Sequence, residues 1–389
     1  MFEILSGRRD RAYLKFQRKK MEAPLSLEAT HIPIARRCAS LARRVGGVFC
    51  YLCMVLLSAW AILAIFVDCG VRGLHLLAAL VYLVAVVAGL VLFKRPVTRL
   101  LASMFCFAIV LVWWLNIAPS NEGNWQADVS RIAYADIEAT HLTFHNVRSC
   151  DYRAELDYTC EWLTRTVDLD QVRGVDLFMN YWGSPWIAHT IVSFDLRPDP
   201  ARPDLKDDPI VFSIEARKHV GQQYSSVLGF FRQFTLISVV SNERDLVRLR
   251  TNYRHGEDLY LYHTKATPQF ARDLLLNYAA FTDQLHDRPT WYNALTRNCT
   301  TEIFELQALK GRPYDWRILL NGKADEMLYD QDALAAQPVG QPPSAPRLPF
   351  LELKNRAYIN PAARAADKDP NFSEHIRENR PGFPGSVSE

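Results

Sequence analysis

Val48-Phe49-Cys50-Tyr51-Leu52-Cys53-Met54-Val55-Leu56-Leu57-Ser58-Ala59-Trp60-Ala61-Ile62-Leu63-Ala64-Ile65-Phe66-Val67 is a run of 20 residues without a charge. At about 1.5 Å rise per residue, a helix of that length crosses a hydrocarbon core of about 30 Å. Lipid offers no partner for open backbone groups, so a lone segment there must be helical. Two similar runs follow. Leu74–Phe93 has no Asp, Glu, Lys or Arg and a single His, His75, and Leu100–Ala118 has none of these five. Three uncharged runs of this length in succession argue against buried helices of a water-soluble core.

Working outward from these runs, charge divides the chain of 389 residues into three parts. Residues 1–47 carry +7, residues 48–118 carry +3, and residues 119–389 carry −7. A basic head, an apolar middle and an acidic body exclude one uniform globule, although the mean hydropathy of −0.09 resembles that of a soluble protein. Arg36, Arg37, Arg43 and Arg44 precede the first run, and Lys94, Arg95 and Arg99 separate the second from the third. Positive residues stay in the cytoplasm, so the head and second loop are expected there and the body across an inner membrane, in the periplasm. Ala59-Trp60-Ala61 has the form of a signal-peptidase site. The long basic region before it and the two runs after it favour a retained anchor. The body's negative charge disfavours nucleic-acid binding. The expected organisation is a cytoplasmic segment 1–47, a three-helix anchor 48–118, a periplasmic domain 119–332 and a proline-rich tail 333–389.

The eight cysteines follow this division. Cys50 and Cys53 form C-x-x-C inside an apolar helix, where they are expected to fill space rather than bind metal. Cys150 and Cys160 are the natural disulfide partners in an oxidising compartment. A loop so short would stabilise by about 3 kcal/mol in the chain-entropy model. Cys299 is left as an odd thiol, either a liability or a nucleophile.

In the body, His141–Val147, Val175–Tyr181, Ile187–Leu196, Ile210–Arg217, Thr235–Val240 and Asp258–His263 have strand character. Arg197-Pro198-Asp199-Pro200 opens a loop between two of them. A helix begins at Thr267-Pro268, where Phe270, Leu274, Tyr278, Phe281 and Leu285 recur on one face. A second begins at Asn298-Cys299 and runs to Lys310, with Gly311 as its stop. Strands first and helices later predict an α+β fold with an antiparallel sheet. From Ala333 onward there are nine prolines and no sustained period, which predicts an extended or disordered tail.

Asn298 as the N-cap places Cys299 in the first helical turn. Open backbone N–H groups and the helix dipole there favour a thiolate and stabilise an oxyanion. A thiol nucleophile needs an imidazole to take its proton. His189 is the candidate, because it opens a strand behind Tyr181-Trp182-Gly183-Ser184-Pro185-Trp186, whose aromatics exclude water. Glu215 on the next strand is the candidate for orienting the imidazole, with simple pairing to Arg217, Arg232 or Arg248 as the alternative. Asn298, Tyr181 and Trp182 are candidates for oxyanion or substrate binding. The chain has no H-E-x-x-H, no phosphate-binding loop, no G-x-S-x-G and no dinucleotide fingerprint, so neither metal nor cofactor is expected.

Asn146-Val147-Arg148, Asp151-Tyr152-Arg153, Asp157-Tyr158, Tyr181-Trp182-Gly183-Ser184-Pro185, Ala188-His189-Thr190, Phe212-Ser213-Ile214-Glu215, Arg248–Arg254 and Asn298-Cys299-Thr300-Thr301 resemble blocks of the Lnb N-terminal periplasmic domain family, in that order. The resemblance covers residues 120–320. Lnb is a bacterial lipoprotein N-acyltransferase whose periplasmic domain is similar to papain-like thiol enzymes with a Cys–His pair. The order His189, Glu215, Cys299 resembles the circularly permuted branch of that superfamily. In Lnb the domain comes first and a membrane region follows, whereas here three apolar runs come first. The resemblance implies a cysteine-dependent acyltransferase or hydrolase acting on an envelope lipid or lipoprotein. A peptidoglycan amide hydrolase and a non-catalytic envelope scaffold are the alternatives.

Overall fold

The computed structural model describes residues 34–71, 73–197, 209–306, 315–318 and 321–383. Most of the basic head, the loop at Pro198-Asp199-Pro200 and the expected helix stop at Gly311 lie outside the described residues.

Three helices come first: α1 (Ile34–Asp68), α2 (Leu74–Leu92) and α3 (Pro96–Leu115). Each contains a stretch long and apolar enough to cross a membrane. The chain divides into two compact units. One comprises the chain up to Leu63 together with Ala78–Val110, and the other comprises Ala64–Leu77 with Leu111 onward. Within the first, Tyr82 donates to Ser58 Oγ at 3.2 Å and Trp60 meets Phe107 edge-on. Gly89 lies against Ala102, the close approach that small residues permit between apolar helices. Leu52, Leu56, Leu80, Val84 and Phe105 point outward and exposed, as lipid-facing side chains do.

The second unit carries two antiparallel sheets. β1 (Tyr134–Glu138), β2 (His141–Ala154) and β3 (Asp157–Asp168) form a meander. Its β2 strand runs past the expected end at Val147, through a bulge at Asn146, whose φ of 56° an Asn tolerates. Cys150 faces Cys160 across β2 and β3, and the two form a disulfide. The main sheet is built from β4 (Val172–Trp182), β5 (Ala188–Leu196), β6 (Ile210–Arg217), β7 (Thr235–Ser241) and β8 (Glu257–His263), in the order β7-β6-β5-β4-β8.

Alternation along the strands gives the sheet two buried faces. Leu177, Val192, Phe212, Ile214 and Leu236 pack beneath α5 (Pro268–Asp287) and α6 (Cys299–Leu306). Phe178, Ile191, Val211, Ile237 and Leu259 pack on the other side, against α4 (Glu243–Arg248) and later elements. Thr267 caps α5 by accepting from Phe270 N, with Pro268 behind it, as the sequence predicts. A short helix, α7 (Ala324–Asp330), follows α6.

The segment after residue 333 departs from the expected extended tail. It forms α8 (Phe350–Ala357), α9 (Asn360–Ala365) and α10 (Phe372–His375). Ile359, Ala363, Phe372 and Ile376 complete the second core face. None of these helices exceeds 8 residues, too short for a hydrophobic period to emerge. A buried ion cluster fixes the segment: Arg377 donates to Asp176 at 2.7 Å and to Glu243 at 2.6 Å.

One irregularity of the main sheet positions the site. β5 and β6 pair only over Ile191–Phe194 and Ile210–Ser213. Beyond Ile191 and Ser213 the ladder stops, although both strands continue, to Ala188 and Arg217 respectively.

Candidate active site

Where β5 and β6 part, the fold encloses a cavity of about 660 Å³. His189 and Glu215 border it from one side of the sheet, Asn298 and Cys299 from the side covered by α6. Trp182, Trp186, Asn180, Arg250 and Arg254 contribute further wall.

The Cys299 side follows from the sequence as read. Asn298 Oδ1 accepts from Thr301 N at 3.1 Å, and Thr301 Oγ1 accepts from Asn298 N at 2.9 Å. This reciprocal cap starts α6 at Cys299 and leaves the sulfur in its first turn. Cys299 is buried in the same cluster as Tyr278 and Tyr292. The Tyr278 hydroxyl, fully buried there, has no hydrogen-bond partner among the described residues.

The His189 side is a hydrogen-bonded chain. His189 Nε2 lies 2.7 Å from Ser213 Oγ, and Ser213 Oγ lies 2.7 Å from Glu215 Oε1. Arg250 Nη2 donates to the same carboxylate oxygen at 2.7 Å. Burial, and then the Arg250 guanidinium, hold the His189 imidazole down to about 3, against the pull of Glu215. Burial alone pushes the Glu215 carboxyl up, but Arg250, followed by His189, Arg148 and Arg254, outweighs it and holds the group well below the usual range. An ionised carboxylate only accepts, so the Ser213 proton points to Glu215. The Ser213 oxygen then accepts from His189 Nε2–H, and a neutral ring keeps Nδ1 as its bare nitrogen. The tautomer is thus assigned by the network.

Arg250 reaches Glu215 because a π-helical turn, Leu249–Tyr253, continues α4. Arg254 follows that turn and lies 3.5 Å from Glu257. Asn180 Nδ2 donates to Glu257 Oε2 at 2.6 Å, which fixes the amide orientation and leaves Asn180 Oδ1 buried without a partner among the described residues. The approach of the Trp186 loop to this wall depends on Gly322. A Cβ there would stand 2.4 Å from the Trp186 carbonyl carbon.

A family model, that of the Lnb N-terminal periplasmic domain, matches residues 158–322, a stretch that contains His189, Ser213, Glu215 and Cys299. These residues form an Lnb-type periplasmic domain. With apolar helices ahead of it, the chain is a membrane protein bearing that domain. No curated protein and no solved structure matches the chain.

Within the Lnb-type domain, the structure brings most of the expected residues to one place. His189, Glu215, Trp182, Asn298 and Cys299 all line the cavity. Tyr181 does not. Alternation turns it to the opposite face from Asn180 and Trp182, and its hydroxyl donates to Asp325 Oδ2 at 2.7 Å and to Gly322 O at 3.0 Å. The arginine partners considered for Glu215 are also corrected. Arg217 is spent on the carbonyls of Val129 and Ser130, Arg248 on Asp151, and Arg232 stacks on Trp114. The actual partner is Arg250. Ser213 and Arg250 escaped the reading of the sequence. Ser213 had one signal, its place two residues before Glu215 on the same strand face. Arg250 had none, since only the π turn aims it.

Proposed function

We propose that this membrane protein is a periplasmic cysteine-dependent acyltransferase or hydrolase of permuted papain-like type. It is anchored in the inner membrane with its N-terminus in the cytoplasm, and its substrates are envelope lipids or lipoproteins. The observation that carries this reading is that Cys299 and His189 border one cavity at the gap between β5 and β6. No backbone ladder stands between them at that level. The tautomer assigned to His189 supports it too, because the bare Nδ1 is the nitrogen able to accept a proton.

The Cys299 thiol gives its proton to His189 Nδ1 as Sγ bonds to the carbonyl carbon of an ester or amide. The N–H groups of the first turn of α6, on the Asn298 side of the cavity, are the candidate donors to the oxyanion, in place of Tyr181. Collapse breaks the carbon–leaving-group bond. The leaving oxygen or nitrogen takes the proton from His189, and a thioester stays on Cys299. An amine or water then attacks the thioester carbon as it loses a proton to His189 Nδ1. The carbon–sulfur bond breaks, the acyl group leaves on the amine or as the free acid, and the thiolate takes the proton back from His189. Ser213, Glu215 and Arg250 keep the Nε2 proton in place throughout, so that only Nδ1 gains and loses a proton.

The test is mass spectrometry of Cys299 in protein purified from cells, with Cys299→Ala cells compared for lipoprotein N-termini and cell-wall fragments. An acyl thioester on Cys299 together with a changed lipoprotein pool is the expected result. A changed cell-wall pool instead reassigns the substrate to a peptidoglycan amide. No adduct and no change in either pool removes the enzyme reading and leaves a scaffold.

A further inference from the structure

The segment joining β6 to β7 has two sides. Inward, Gln222, Tyr224, Ser226 and Phe230 line the cavity. Outward, it presents apolar side chains to its surroundings: Val227 is 66% exposed, Val220 60% and Phe230 44%. Leu295, 48% exposed, joins this surface, because its neighbour Ala294 N donates to Gly229 O at 2.9 Å. Large exposed apolar side chains gathered on one short segment of a water-facing domain call for a partner.

What lies next to the segment identifies that partner. Arg232 N donates to Asp68 Oδ1 at 3.1 Å, and Gln233 Nε2 donates to Val67 O at 3.0 Å. Asp68 is the last residue of α1, the helix of the first membrane run. Trp114 Nε1 donates to the same carboxylate at 2.7 Å, and the Arg232 guanidinium stacks 4.0 Å above the Trp114 ring. Trp291 Nε1 donates to Ile117 O at 2.9 Å, just beyond α3. All of these residues belong to the second compact unit. Tryptophans and an arginine at the ends of apolar helices mark the level where hydrocarbon meets headgroups. A chain spans at most about 3.5 Å per residue, so Phe230 lies within about 7 Å of Arg232 and Val227 within about 18 Å. The headgroup layer is itself about 5–7 Å deep on each side.

We propose that residues 220–231, together with Leu295, bury their apolar side chains in the adjoining leaflet of the bilayer, and that the cavity receives its acyl donor directly from that leaflet. The second half rests on the thiol acyl-transfer reading; the first does not. Tyr224 and Phe230 serve both surfaces, so an acyl chain leaving the leaflet passes along side chains that already contact lipid.

The test uses the full chain with Cys299→Ala, in vesicles of phosphatidylethanolamine and phosphatidylglycerol. A benzophenone amino acid replaces Val227 or Leu295, with Leu351, exposed on α8, as the comparison site. Illumination is expected to give phospholipid adducts at 227 and 295 with at least a tenfold lower yield at 351. Equal yields at the three positions, or adducts to protein alone, overturn the membrane contact. With Cys299 restored, Val227→Asp combined with Leu295→Asp is expected to cut acylation of Cys299 by vesicle phospholipid at least tenfold. Acylation by a water-soluble short-chain thioester should change less than twofold. Equal loss with both donors overturns entry from the leaflet. Absence of acylation from either donor in the unmutated chain overturns the acyl-transfer reading and with it that half of the proposal, while the cross-links still decide the membrane contact.

Discussion

Ser213 stands between the imidazole and the carboxylate, with its Oγ 2.7 Å from His189 Nε2. The direct separation of His189 Nε2 from Glu215 Oε1 is 3.9 Å, too long for a hydrogen bond. The orientation of the ring therefore passes through a hydroxyl. Ser213→Ala removes the acceptor that keeps the proton on Nε2. Peptide-resolved alkylation of Cys299 by iodoacetamide should slow about 100-fold at neutral pH, the lower end of a general-base contribution. Ser213→Thr keeps a hydroxyl and should restore most of the rate. A merely structural Ser213 would show no such rescue.

The depressed His189 makes the domain acid-labile in a defined window. In the unfolded chain the imidazole takes up a proton near its ordinary value of 6.5, whereas in the fold it resists until about 3. Stability is therefore fully present above about pH 6.5 and is lost as the pH falls toward 3. Glu215, held low, adds to the loss below about pH 4.5. Denaturant melts between pH 7 and 4 should show this decline, and His189→Gln should flatten it above pH 5.

Removing the Arg250 cation takes away the second cause of the low His189 value. In Arg250→Gln the imidazole midpoint should rise, because both the loss of the like charge and the freed Glu215 favour imidazolium. Ring-nitrogen chemical shifts followed from pH 8 to 4 measure this directly. A midpoint unchanged in the variant would show that burial alone holds the ring neutral.

Arg377 pairs with two carboxylates, on Asp176 and Glu243, that are each 1% exposed or less. Arg377→Met leaves these charges without their counter-ion, a loss of about 3–5 kcal/mol for a broken buried pair. Neutralising both carboxylates in the same chain, by Asp176→Asn and Glu243→Gln, should recover much of it. Chemical denaturation of the four variants closes the cycle.

The disulfide joins residues 10 apart across β2 and β3. Cys150→Ser with Cys160→Ser should lower stability by about 2–4 kcal/mol. Alkylation of Cys299 should be little changed, since the bridge lies outside the cavity wall.

Much of this was legible in the sequence because the decisive signals are local. Uncharged runs predict α1 to α3, Thr267-Pro268 predicts the start of α5, and Asn298 predicts the cap that sets Cys299. Strand alternation even separates Glu215 from Phe212 and Ile214. The failures are non-local. Arg250 depends on a π turn that no pattern announces, and β3 escaped because its exposed positions are mostly Asp, Thr and Glu. Tyr181 was misplaced because its partner Asp325 lies 144 residues away. The helices after residue 350 are held by contacts to the sheet and by Arg377, not by a period of their own.

The Arg377 cluster also sets a schedule for biogenesis. Asp176 and its guanidinium partner are 201 positions apart, so strand β4 emerges long before its counter-ion exists. Until residue 377 has been synthesised and reached the same compartment, the sheet keeps an open apolar face and two uncompensated acids. The domain therefore matures after translation of this region, and the interval before that is when a chaperone or a protease would meet it.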